Sequence, residues 1–148
     1  MTTRPLSPRA VAWLVVMTLA VVGCSGGGQS VFDLEVGNCF DDTEGSGPIS
    51  SVPAVDCAEP HDNEVFAVLD YTDAETYPGT EAMREAARDL CIEQFDAYVG
   101  LPYLDSALEV FAITPTEGSW DSGDREVVCS LYNADLSNLT GSMRGAER

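Results

Sequence analysis

Five cysteines in 148 residues constrain this chain more than any other feature. Four of them, Cys39, Cys57, Cys91 and Cys129, are spread through the body of the sequence. No two have C-x-x-C spacing, which argues against a thioredoxin-type redox site. The fifth, Cys24, closes an apolar run near the N-terminus. The compartment in which the chain folds decides what the other four become.

Residues 1–9 carry Arg4 and Arg9 and no acid, and residues 10–23, AVAWLVVMTLAVVG, are almost wholly apolar. Fourteen residues of helix span about 21 Å, short of the roughly 30 Å hydrocarbon core of a bilayer. The run reads as the apolar part of a signal peptide. Its end, Val21-Val22-Gly23-Cys24, resembles the bacterial lipobox, whose Cys takes a diacylglycerol before cleavage. The expected division is a lipoprotein signal peptide over 1–23, a lipidated Cys24 and Gly-rich tether over 24–32, and one domain over 33–145. The expected location is the extracytoplasmic face of the cell membrane, held there by the acyl chains on Cys24.

Export into an oxidising compartment favours disulfides for the remaining four cysteines. Zinc on Cys39, Cys57 and His61 is the competing use. The close ligand pairs of zinc sites are absent, and His61 is the only His, so no metal is expected. Three pairings are open in principle, and local structure helps to choose between them. Residues 80–99 predict a helix: Met83, Ala87, Leu90, Cys91, Gln94, Phe95 and Tyr98 recur on one stripe. Thr80 is placed to N-cap it and Gly100 to end it. Residues 34–40, 64–71, 108–114 and 126–132 predict strands, with a weak last strand near 138–143. In 64–71, alternation puts Val65, Ala67, Leu69 and Tyr71 on one face and Phe66 and Val68 on the other. Cys91 lies on the helix stripe and Cys129 on the strand face of Val127 and Leu131, so a bond between them would staple helix to sheet. Cys39 and Cys57 flank a turn-rich loop that a bond would close. Each closure would contribute on the order of 3–4 kcal/mol. The expected architecture is α+β, one amphipathic helix on a small antiparallel sheet with two disulfides.

Charge narrows the partners. All seven basic residues are Arg, against 25 Asp and Glu, for a net charge of −18. Removal of residues 1–23 would leave five Arg and all 25 acids, a net charge of −20. No basic patch is available to neutralise phosphates, so nucleic acid is not an expected partner. Hydrophobic residues make up 45%, enough for a packed core and too many for a disordered acidic tail.

The series Leu34-Glu-Val-Gly37-Asn-Cys39-Phe40, then Cys57-Ala-Glu-Pro60-His61-Asp62-Asn-Glu64-Val65-Phe66, then Trp120, Gly123-Asp124-Arg125, Cys129 and Thr140-Gly141-Ser142-Met143-Arg144-Gly145 resembles the septum formation domain family. These are small extracytoplasmic domains on lipoproteins or membrane-anchored proteins, mostly of high-GC Gram-positive bacteria. Asn38 stands where the family usually has Asp. The resemblance implies disulfides, no known catalytic activity and a link to cell division.

Among candidate chemical groups, His61 stands beside Asp56, Glu59, Asp62 and Glu64. A hydrogen bond from its ring to a nearby carboxylate or backbone carbonyl is favoured over a cation site. Asp121, Asp124 and Glu126 lack the spacing of a calcium loop, so Asp124 is expected to shape a turn, with Arg125 as its charge partner in an ion-pair hub. Trp120 is expected to anchor its loop on the core. No nucleophile elbow, zinc-protease motif or phosphate-binding loop is present, so neither an enzyme nor a cofactor is expected. The expected role is a non-enzymatic, lipid-anchored envelope or septum factor that contacts envelope proteins, division proteins or the cell wall. The alternative is an extracytoplasmic ligand- or cation-binding lipoprotein.

Overall fold

The computed structural model describes residues 28–45 and 47–148. The segment read as a signal peptide, and Cys24, read as the lipidation site, lie outside these residues. In chain order the elements are β1 (Gln29–Ser30), β2 (Cys39–Phe40), β3 (Ser51–Val52), β4 (Ala54–Val55), β5 (Asn63–Asp70), α1 (Thr80–Val99), β6 (Leu108–Ile113), α2 (Glu117–Asp121) and β7 (Glu126–Asn133). Five strands form an antiparallel sheet in the order β4-β2-β5-β7-β6, and β1 pairs with β3 beside it. This is the α+β arrangement expected.

The helix forms where its apolar stripe demands. Met83, Ala87, Cys91, Phe95 and Val99 are fully buried against the sheet, and Tyr98 nearly so. Its cap differs from expectation. Gly79 occupies the N-cap without any side-chain hydrogen bond, and Thr80 is already helical. The Thr80 hydroxyl instead meets the Tyr77 hydroxyl at 3.4 Å. Gly100 ends the helix at φ +83°, a left-handed conformation that a side chain would strain.

The two disulfides are Cys39–Cys57 and Cys91–Cys129. The second ties α1 to β7 in the centre of the core, where both cysteines are fully buried. The first joins β2 to the loop before β5.

Two strand expectations need correction. The strand expected over 34–40 shrinks to Cys39–Phe40, because residues 35–38 form a turn with Gly37 at φ +96°. In that turn the Asn38 side-chain oxygen accepts hydrogen bonds from the Glu35 amide and from Gln29. The strict alternation expected along β5 fails at Phe66. Val65 pairs with Ser130 and Ala67 with Cys129, so Phe66 is an extra residue in a β-bulge. Val65 and Val68 therefore pack on one side of the sheet with Phe40, Ile113 and Val128, while Phe66, Ala67 and Tyr71 face α1. The bulge also leaves Glu64 on the helix side.

Gln29–Ser30, read from the sequence as tether, forms β1, and Val31 is buried behind it. The weak strand near 138–143 is one bridge, His61 with Leu139, inside an otherwise irregular segment. α2 has no counterpart in the sequence reading. It is nucleated by a capping box in which Thr116 and Ser119 exchange side-chain-to-backbone bonds.

Candidate functional site

The C-terminal segment 139–145 lies across a buried polar cluster at one end of β5. Leu139 exchanges backbone bonds with His61, and the Gly141 amide donates to the Cys57 carbonyl at 2.7 Å. Beneath this segment His61 and Glu64 have no exposed surface, and Cys39 is almost as enclosed. A ring nitrogen of His61, the Cys39 sulfur and a Glu64 oxygen lie within 4.8 Å of one another. His61 Nδ1 is 2.8 Å from the Glu59 carbonyl oxygen, one of the two kinds of partner, carboxylate or backbone carbonyl, that the sequence left open. Its Nε2 is buried with no partner.

Glu64 is well supplied with donors and is not paired with a cation. The Tyr98 hydroxyl donates to Oε1 at 2.6 Å, the Ser142 hydroxyl to the same oxygen, and the Met143 amide to Oε2 at 2.6 Å. Burial, followed by the adjoining carboxylate, pushes the Tyr98 hydroxyl up to about 12. The Arg144 guanidinium lies over the Tyr98 ring, 4.5 Å from its centre. The sequence placed Tyr98 on the helix stripe and Ser142 and Met143 in a familiar motif. No local pattern connects them to Glu64, which lies 78 and 79 residues before the last two.

Trp120 closes the second cluster. It is buried between Tyr71 and Tyr77, with ring centres 6.2 and 5.8 Å away, and so anchors its loop as expected. Arg125 corrects its expectation. Its guanidinium stacks 3.6 Å from the Trp120 ring centre and donates to the carbonyl oxygens of Trp120 and Asp124. It is no ion-pair hub. Among the described residues the one ion pair is Arg84–Glu81 on the surface of α1. Arg125 stacks because guanidinium is planar and weakly hydrated, which favours an aromatic face and carbonyl acceptors. Asp124 does shape the turn, accepting from the Glu126 amide at 3.0 Å. Asp70, Asp124 and Glu126 share a shallow cleft there. Burial and then the charges of Asp124 and Asp70 push the Glu126 carboxyl up.

A groove of about 810 Å³ lies elsewhere, where the 42–52 loop, β6 and the segment after β7 meet. Seven consecutive residues, 111–117, line it. The first three, Phe111, Ala112 and Ile113, end β6, and since alternate strand residues point to opposite faces, the groove takes in the end of that strand's open edge. That strand is last in the sheet and pairs only with β7. Phe40, Ile49, Phe111, Ile113 and Leu136 supply apolar surface, and Asp42, Asp62 and Glu117 supply acid. Phe111 is 40% exposed and Leu136 80%. Leu136 also holds φ +60°, strained for a residue with a Cβ. The sequence named Phe40 and Asp62 and placed Phe111 and Ile113 on a strand, but nothing local joins them, because the groove is assembled from segments far apart in the chain.

Searches of curated proteins and of solved structures found no match. A family model described as septum formation matches residues 29–146, a span that begins at β1 and covers both disulfides, the His61–Glu64 cluster, the Trp120–Arg125 pair and the C-terminal segment. The chain belongs to the septum formation family.

Proposed function

We propose that this chain is a non-enzymatic, lipid-anchored factor outside the cytoplasmic membrane that acts in envelope or septum formation by binding a partner protein along β6. Family membership supports the envelope and septum role. The observation that carries the binding mode is the groove along an unpaired strand edge, lined by apolar Phe111 and Ile113 and by three acids, Asp42, Asp62 and Glu117, against one base, Arg84. An open edge offers main-chain donors and acceptors to an added strand, and the apolar lining offers pockets for its alternate side chains. The excess of acid along the groove and the charge of −20 left after removal of residues 1–23 select for an extended segment that carries basic residues between apolar ones. The lipobox-like end at Cys24 supports the anchor.

The buried His61 supports a structural role in place of catalysis, since its free nitrogen meets no hydroxyl and Glu64 is engaged by Tyr98, Ser142 and Met143. A photo-cross-linking residue at position 136 in intact cells tests the proposal. The expected result is a discrete adduct with one envelope protein, lost when Phe111→Glu is added. No adduct, or one indifferent to Phe111→Glu, would overturn the binding mode. Cys24→Ala tests the anchor: the protein should leave the membrane fraction or accumulate with its signal uncut, and retention as a cleaved form would refute lipidation.

A further inference from the structure

We propose that the Cys39–Cys57 disulfide and a four-ligand zinc site are alternative states of one buried cluster, with Cys39, Cys57, His61 and Glu64 as the zinc ligands. The starting observation is the unpartnered Nε2 of His61 in a fully buried ring. A buried polar atom without a partner is costly and rare. The other ring nitrogen is fixed on the Glu59 carbonyl. That is the arrangement found behind metal-bound histidines, where a backbone acceptor holds Nδ1–H and leaves Nε2 as the free lone pair.

The remaining ligands lie beside this ring. Cys39 sulfur and a Glu64 oxygen share the 4.8 Å cluster with a His61 nitrogen, and Cys57 is bonded to Cys39. While that bond is closed neither sulfur is a thiolate and the ligand set is incomplete. Two thiolates, one imidazole and one carboxylate make a closed tetrahedral set of the kind zinc prefers. Glu64 can take part without giving up its partners. A carboxylate offers about four lone-pair directions, and Tyr98, Ser142 and Met143 use three.

The interconversion needs a dithiol reductant. Its thiolate attacks the Cys57 sulfur, the Cys39–Cys57 bond breaks and Cys39 leaves as thiolate. The second thiol of the reductant then displaces Cys57 and closes the reductant's own disulfide. Two electrons pass to the protein, and zinc binding releases two protons to solvent. Exposure favours attack at this bridge: Cys57 is half-buried, whereas Cys91 and Cys129 have no exposed surface.

The test uses the chain with Cys24 replaced by Ala, so that every thiol comes from a disulfide, with a phosphine reductant adjusted until two thiols per chain are labelled and mapped by mass spectrometry. Zinc is titrated against a chromophoric chelator, and near-ultraviolet circular dichroism monitors aromatic packing in the same samples. The expected result is thiols at Cys39 and Cys57, one zinc per reduced chain and none per oxidised chain. His61→Gln and Glu64→Gln should each weaken zinc by at least tenfold. Cobalt in place of zinc should give the visible absorption of a tetrahedral thiolate site. An unfolded chain with two thiols would also take up metal, but without regard to Glu64. Zinc affinity unmoved by either variant, no zinc on the reduced protein, equal zinc on the oxidised protein, or thiols at Cys91 and Cys129 would each overturn the proposal.

Discussion

The Tyr98 hydroxyl donates a 2.6 Å hydrogen bond to Glu64 Oε1 in the interior, joining the last turns of α1 to the start of β5. Burial and the carboxylate hold the Tyr98 proton until about 12. A tyrosine whose folded pKa exceeds the ordinary value near 10 keeps its proton while the unfolded chain loses its own. The unfolded state then binds fewer protons, so stability falls as pH rises through that interval. Urea titrations at pH 9, 10 and 11 should show this fall, and Tyr98→Phe should flatten it. At neutral pH the same variant should cost about 1–2 kcal/mol, because Glu64 keeps its bonds to Ser142 and Met143.

The two disulfides should contribute unequally. They close separations of 18 and 38 residues, for about 3 and about 4 kcal/mol in the chain-entropy account. Replacing Cys91 and Cys129 together by Ala should lower the urea midpoint more than the Cys39 and Cys57 pair does. That variant also opens a gap in the centre of the core. Equal midpoints would show that loop length and burial do not govern their worth here.

Arg125 should not be replaceable by Lys. The stack on Trp120 needs a planar guanidinium, whose Nη1 at the same time reaches both carbonyl oxygens. Arg125→Lys should lose about 1 kcal/mol and Arg125→Ala about 2 kcal/mol. Trp120 is the one tryptophan among the described residues, so its emission should shift to longer wavelength in both variants.

Glu126 follows the same linkage as Tyr98, at lower pH. Its carboxyl is pushed up by burial and by Asp124 and Asp70. A raised carboxyl pKa favours the fold at low pH, and the benefit disappears as pH rises through the folded value. At pH 7 Glu126→Gln should therefore raise the melting temperature, and at pH 3 it should leave it unchanged. A lower melting temperature at pH 7 would show that the charge is compensated.

Much of the fold was legible because its signals are local. The 80–99 stripe, the turn residues around β6 and β7, and the placement of Cys91 and Cys129 on facing apolar surfaces each follow from a period readable in a short window. The bulge at Phe66 was not legible, since it depends on how Val65 and Ala67 register on β7. The same limit hid the site. Glu64 is read as a strand residue until Tyr98 and Met143 arrive from remote parts of the chain. Arg125 was misread because twenty-five acids make any cation look like an ion-pair partner, whereas three of the arginines, 88, 125 and 144, lie over aromatic rings.

The hold of residues 142 and 143 on Glu64 has a consequence for assembly. On a chain that emerges N-terminus first, β7 ends at Asn133, so the sheet and helix can form before those donors appear. Until they do, the Glu64 carboxylate needs water for two of its three bonds, and the end of β5 stays wet. The domain can therefore be mostly built and still unlatched, with maturation deferred to the arrival of two residues near its C-terminus.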